Sequence, residues 1–274
     1  MDVQKKGLFV MKYRVRLLLV IAIAGGVYLS VMYINPYGGI IALSEAVLQL
    51  SGSRGHFAME FAYTELAAFT MRLFPAFLFE MYAGIMLYRH FCTASSYVFS
   101  RYPHRVRWYL REAAWLGGAA GMFHIFLLAA AVLVTVCRYE LQIDRAGIEL
   151  LIYHFLLQTL WVYIMAMSVN LLAVYFGSSA AYTVAISVQT VCIVLLLAVD
   201  VLARSRDDMT VYGKLLIWNP IARLILGWYG GYLEEAELYR SVAVFLLLGI
   251  VVTAVGAVAV KKRDLLISNM ETGE

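Results

Sequence analysis

Glu80 is the residue of this chain least suited to its surroundings. It falls inside the apolar run 70–88. An ionisable group at mid-span costs about 2.5–3.5 kcal/mol on insertion scales, so it must face protein or water. Two roles suit it: lining a translocation path, or hydrogen bonding to a neighbouring helix, with the carboxyl protonated. Arg72 precedes it by eight residues. That is about 12 Å along a helix, too far for a direct pair unless the helix kinks at Pro75. His124 and His154 also fall in apolar runs, but neither has a carboxylate or a second histidine three or four residues away. They read as polar residues at helix contacts rather than as ligands or bases. Asp144 and Glu140 read as a solvated rim. Cys92, Cys137 and Cys192 lie far apart and form no CxxC pair. They read as small buried hydrophobes, with neither a disulfide framework nor a metal site expected. HExxH, GxSxG and P-loop signatures are absent, as is the paired aspartate or Ser/His constellation of an intramembrane protease. The expectation is a chain that is not an enzyme, with no catalytic, cofactor-binding or metal-binding residue of its own.

The elements that must position these residues are membrane spans. Of the 274 residues, 63% are hydrophobic and 15% charged, against about 45–50% and 25% for soluble domains. Six runs are long enough to cross, near 17–34, 70–88, 113–137, 150–176, 181–203 and 241–260. The first resembles a signal peptide superficially, because Lys12, Arg14 and Arg16 precede it. But its length, and the early position of the small-x-small triplet Ala22-Ile23-Ala24, predict an uncleaved span. Barrel-type alternation is absent, so the spans are helices. Gly177 to Ala180 reads as a tight turn between the fourth and fifth. No internal repeat or soluble domain is visible, and 1–274 reads as a single transmembrane domain. Charge sets the sidedness. Lys5, Lys6, Lys12, Arg14, Arg16, the arginines from Arg89 to Arg111, and Lys261, Lys262 and Arg263 fall on one side, and most acids on the other. The bias places both termini in the cytoplasm.

Two outer segments are long. Asn35 to Phe69 opens with Asn35-Pro36 and Gly38-Gly39 and continues as an amphipathic stretch broken at Ser51-Gly52-Ser53. Arg204 to Arg240 holds a stretch, 215–229, too apolar for a free loop and too interrupted for a span. It predicts a pair of short re-entrant helices with Pro220 at a helix start. Trp218, Trp228, Tyr229 and Tyr232 would then sit at headgroup level. Gln158, Asn170 and Gln189 predict helix-to-helix hydrogen bonds, and Gly117, Gly121, Gly249 and Gly256 predict close helix packing.

Between the second and third spans, 89–112 carries five arginines and two histidines against one acid. Thr93, Ser95 or Ser96 could cap a short helix, and Tyr97, Val98 and Phe99 give it an apolar face. Pro103 ends that helix or starts the next. Arg105, Arg107, Trp108 and Arg111 then lead into the third span as headgroup anchors. One reading is an ordinary positive-inside loop with an interfacial aromatic. The other is a coupling helix formed by Thr93, Ser96, Tyr97, Val98, Phe99, Arg101 and Tyr102, docking into a groove on a cytoplasmic ATPase, with aromatic anchors.

Four features together resemble the membrane subunits of type-2 ABC exporters, the ABC-2-type permeases. Lys5 to Arg16 is a basic segment before the first span, like the family's connecting helix. Ser95 to Leu110, SSYVFSRYPHRVRWYL, lies where the family places its coupling helix. Asn219-Pro220 precedes a short apolar segment before the last span, and Val260-Lys261-Lys262-Arg263-Asp264 closes that span. The resemblance implies an all-α membrane protein with six transmembrane helices, both termini cytoplasmic, a short coupling helix between spans 2 and 3, and outer re-entrant helices before span 6. It implies pairing with a second permease subunit, identical or homologous, in the plasma membrane. ATP-binding cassette subunits would supply ATP and Mg²⁺ chemistry from below. The path between permeases would be lined by the first, second and fifth spans, and the cargo would be a peptide, lipid or drug-like amphipath moved outward. No block of basic residues interleaved with aromatics suggests nucleic acid. The competing readings are a secondary transporter or channel using Glu80, and a non-transporting membrane scaffold or sensor.

Overall fold

The structure is a computed structural model and describes residues 2–36, 38–52, 62–90, 105–206, 214, 216–229 and 236–262. Its longer helices among the described residues are α1 (Asp2–Tyr33), α2 (Leu43–Ser51), α3 (Ala62–Ala83), α4 (Arg105–Arg138), α5 (Arg145–Phe176), α6 (Ser178–Arg206) and α7 (Ala236–Lys262). After a turn at 84–85, the second span resumes as helix over 86–90. Six segments are long and apolar enough to cross a membrane: Arg16–Tyr33, Ala67–His90, Arg105–Arg138, Arg145–Phe176, Ser178–Leu196 and Ala236–Lys261. Within a bilayer every backbone N–H and C=O must find a partner inside the protein, and a helix does this locally. The outward faces agree with that solvent, because Val20, Leu247 and Ile250 are 61%, 62% and 65% exposed. Such a density of exposed large aliphatics suits hydrocarbon, not water.

Close approach rather than side-chain bulk sets the packing of α1. A Cβ at Gly26 would collide with the main-chain oxygen of Leu127 on α4, and one at Gly25 would lie 2.9 Å from Pro75 Cβ on α3. Small residues let helix backbones touch where no hydrophobic force separates helix from lipid. At the far side, Gly249 and Gly256 of α7 receive the rings of Tyr163 and Tyr109, as their spacing predicts. Gly117 touches the Tyr163 ring, whereas Gly121 has no heavy atom within 4 Å of an added Cβ. The expected GxxxG contact on α4 is therefore not made within this chain at Gly121. The turn between α5 and α6 is tighter than the sequence suggests. Gly177 alone makes it, at φ +81°, and Ser178 already belongs to α6.

One end of the bundle carries a cap that brings together the three segments assigned to the same membrane side. Gly38 and Gly39, with φ of +90° and +80°, turn the chain into strand β1 (Ile40–Ala42), which pairs in parallel with β2 (Glu140–Gln142), Ile41 opposite Leu141. No strand is expected from the sequence here. The pairing sets the starts of α2 and α5 side by side, and Asp144 joins them. Its Oδ1 accepts the Ser44 amide at 3.0 Å and its Oδ2 accepts the Gly147 amide at 3.2 Å. One carboxylate thus satisfies orphan donors at two helix N-termini. The solvated-rim reading of Asp144 is corrected accordingly. The Ser44 amide, chiefly, holds its carboxyl below the usual range. A depressed folded value means that the contribution is present above about pH 4, the ordinary carboxylate range, and is lost as pH falls through the lowered value. Asp144→Ala is expected to lower the melting midpoint at pH 7 and to flatten the acid limb of melting midpoint against pH.

The segment 216–229 completes the cap. Among the described residues it forms three short helical turns rather than a pair of longer helices. After a helical turn at 216–218, the Asn219 side chain accepts the Ile221 amide at 3.0 Å and donates to the Cys192 carbonyl at 2.6 Å. Pro220 lies in that turn, and two single 3₁₀ turns follow, Ala222–Leu224 and Leu226–Trp228. They fold under α2, with Ile225 against Gly52. Trp218 is 83% exposed and free to reach the headgroups, but Trp228 is 1% exposed and belongs to the core. Arg223 is buried as well. Its Nε donates to the Ile217 carbonyl at 2.9 Å, its Nη1 donates to Ser241 Oγ at 2.8 Å, and Nη1 lies 3.8 Å from Glu237 Oε2 on α7. Tyr229 donates to the Arg223 carbonyl at 2.9 Å and contacts Ser241 at 2.9 Å, and burial pushes its phenol up to about 12.

Candidate functional site

Glu80 lies near the middle of the second span and is buried. Its Oε2 accepts a 2.7 Å hydrogen bond from Gln189 Nε2 of α6, and Gln189 is itself buried. The structure therefore brings together two polar residues, 109 positions apart, that the sequence marks only singly. The second carboxylate oxygen, Oε1, is buried without a hydrogen-bond partner among the described residues. A buried carboxylate oxygen left unpaired is expensive, and such exceptions mark functional positions or strain.

Glu80 also lines a cavity of about 310 Å³ between α3 and α6, at the lower end of the range for small-molecule sites. Phe74, Phe77 and Met81 of α3 form one wall, and Tyr182, Ile186 and Val194 of α6 the other. Polar side chains are few: Thr70 and Thr190 line the cavity, and Glu80 stands on the wall. The cavity faces outward, since Phe74, Met81, Ile186 and Val194 are all exposed.

The back of the cavity is held rigidly. Phe79 packs on Phe123 of α4 with ring centroids 5.0 Å apart. The turn at 84–85 interrupts the helical hydrogen bonding just after Glu80, and Asn170 of α5 repairs it. Its Oδ1 accepts the Tyr88 amide at 2.9 Å, and its Nδ2 bonds the Ala166 carbonyl at 2.8 Å and the Ala83 carbonyl at 3.4 Å. Tyr182 donates to the Met81 carbonyl across the same gap. The expected helix-to-helix bonds of Asn170 and Gln189 are thus both formed, and both serve the segment that carries Glu80. Arg72 lies elsewhere, with its guanidinium carbon 4.3 Å from the centre of the Tyr33 ring.

The other polar positions fall outside the cavity. His124 and His154 are buried, with His124 Nδ1 3.1 Å from the Ala120 carbonyl. No three metal-ligating side chains converge among the described residues. Cys137 is exposed and Cys192 half-buried, which corrects the expectation of buried cysteines; Cys92 lies outside the described residues. The coupling-helix residues Thr93, Ser96, Tyr97, Val98, Phe99, Arg101 and Tyr102 also lie outside them. Arg105, Arg107, Trp108 and Arg111 occupy the first two turns of α4, so this helix starts earlier than the apolar run 113–137 suggests. There His90 Nδ1 lies 3.3 Å from Glu112 Oε2, joining the ends of the second and third spans, and Arg111 of the same helix lies 3.6 Å from Glu112 Oε1.

Six helices long and apolar enough to cross a membrane, a tied cap at one end and, among the described residues, one carboxylate on the wall of an apolar cavity define the class as an α-helical membrane-spanning protein. No protein-family model, curated protein or solved structure matches the chain.

Proposed function

We propose that the chain is the permease subunit of an ATP-driven exporter of the type-2 ABC class, with both termini in the cytoplasm of a plasma-membrane protein. The observation that carries the reading is the cavity between the second and fifth spans with Glu80 on its wall. The resemblance draws the transport path along the first, second and fifth spans, between two permeases, and an outward-facing cavity on α3 and α6 suits that place. The basic stretch after His90 supports the same reading, since it gives the energy-supplying partner a docking segment where the spans converge. Thr93 to Tyr102 would meet the ATPase, while Arg105, Arg107, Trp108 and Arg111 anchor the start of α4 among headgroups. ATP and Mg²⁺ would be held by the partner, and closure of the ATPase pair would drive the coupling segment and tilt the spans. The cargo class is an amphipathic peptide, lipid or drug-like molecule.

The deciding experiment is purification of the tagged chain from its native host. Recovery of a stoichiometric ATP-binding subunit is expected, with ATPase activity that responds to cargo. A chain that purifies alone and stable, with no ATPase gene beside its own, overturns the reading. With the complex in hand, Tyr97→Ala/Phe99→Ala is expected to leave insertion intact and to abolish the coupling of hydrolysis to cargo.

A further inference from the structure

We infer that the α3–α6 cavity binds amphiphiles carrying a protonated amine, with Glu80 Oε1 accepting the ammonium N–H. The inference rests on reading this cavity as the place where cargo enters, and it names the chemical class of that cargo. Three observations lead to it. First, Glu80 is 3% exposed and Oε1 has no partner among the described residues, while Oε2 is already engaged by Gln189. One oxygen of an otherwise anchored carboxylate that lines the cavity is thus left unpaired and shut off from water, and a ligand N–H reaches it when the Glu80 side chain turns toward the cavity. Second, no described cationic side chain forms an ion pair with Glu80, so a cation brought by a ligand is the complement the site lacks. Third, the walls are apolar and aromatic and open toward the lipid side. An aliphatic or aromatic tail can enter from the bilayer without crossing water, and the rings of Phe74, Phe77 and Tyr182 suit the weakly hydrated carbons flanking an ammonium.

The requirement is for a donor, not only for positive charge. A protonated tertiary amine offers one N–H to Oε1, and a charge-assisted hydrogen bond of this kind is short and strong. A quaternary ammonium offers the same charge and no N–H. A neutral amide of the same chain length offers neither the charge nor, when fully substituted, a donor. If instead the carboxyl is protonated and donates, the preference inverts, and the neutral carbonyl compound binds best.

The test uses the full chain in lipid nanodiscs, with no ATPase added, so that its outcome is separate from that of the co-purification. The probes are N,N-dimethyldodecylamine, dodecyltrimethylammonium and N,N-dimethyldodecanamide, each corrected for partition into empty nanodiscs. The amine is expected to bind about tenfold more tightly than either other probe, the equivalent of one charge-assisted hydrogen bond. Glu80→Gln keeps the shape of the side chain, and it should erase that preference. Ile186→Trp, at the mouth of the cavity, should weaken all three probes without altering their order. Equal binding of the three probes, a preference that survives Glu80→Gln, or tightest binding of the amide each overturns the inference. Should Glu80→Gln fail to fold, the order of the three probes on the wild-type chain still decides it. Loss of the ATPase partner with the amine preference intact would count against the exporter reading alone.

Discussion

Arg223→Ala is expected to open the cap and destabilise the chain by about 3 kcal/mol, the lower end of the cost of breaking a buried ion pair. Arg223 is 8% exposed and Glu237 6% exposed, so removing the guanidinium leaves a buried carboxylate with one partner fewer. Arg240 still bonds Glu237 Oε1 from the more solvated side, which keeps the loss from reaching the upper end of that range. The guanidinium also satisfies Ser241 Oγ and the Ile217 carbonyl; Ser241 keeps Tyr229 as a partner, but no second donor to the Ile217 carbonyl is seen among the described residues. Trp228 provides the readout, because it is buried in the same short segment, 216–229, and its emission should shift to the red as the cap melts. Arg223→Met combined with Glu237→Leu removes both charges together. It should recover most of the loss, since a buried pair replaced by apolar residues of similar volume is often neutral. A single mutant as stable as the parent would mean that the cap is held by α2 and the strand pair alone.

The same network shows what the sequence could and could not disclose. The six spans are legible because apolar runs of this length, bounded by charges, have no other physical solution. Glu80 is legible as an anomaly for the same reason, and so are Asn170 and Gln189 as solitary polar residues in apolar helices. Their partners are not legible, because Glu80 and Gln189 meet across 109 positions and Asn170 bonds backbone atoms, which carry no residue-type signal. Asp144 is half-legible. An aspartate just before a helical run is an N-cap signature, but its second bond, to the Ser44 amide, depends on a strand pairing of three residues that no periodicity announces. Trp228 misleads for a related reason. An aromatic in an apolar outer segment reads as a headgroup anchor, and only the fold of 216–229 beneath α2 turns it inward.

Gly26→Val is expected to cost about as much as Arg223→Ala, and for a reason that has nothing to do with charge. A Cβ at Gly26 runs into the main-chain oxygen of Leu127 and lies 2.9 Å from Ala130 Cβ. A rotamer change can move a side chain aside, but not a helix backbone, so α1 and α4 must separate along their contact. Overpacking costs about 1–3 kcal/mol, and a backbone obstacle puts this substitution at the top of that range. Gly121→Val is the control: nothing lies within 4 Å of its Cβ, so its effect should stay within about 0.5 kcal/mol. From sequence the order is the reverse, since Gly117 and Gly121 form the visible GxxxG. The fraction of monodisperse protein after detergent extraction, with its melting midpoint, measures both. If Gly121→Val proves the more damaging, the glycine face of α4 meets another subunit rather than lipid. If Gly26→Val does, α1 and α4 behave as one body. Helix α1 is continuous from Asp2 to Tyr33, so a force applied at its N-terminal end would then move α4 with it and displace the wall on which Phe123 holds Phe79, the neighbour of Glu80.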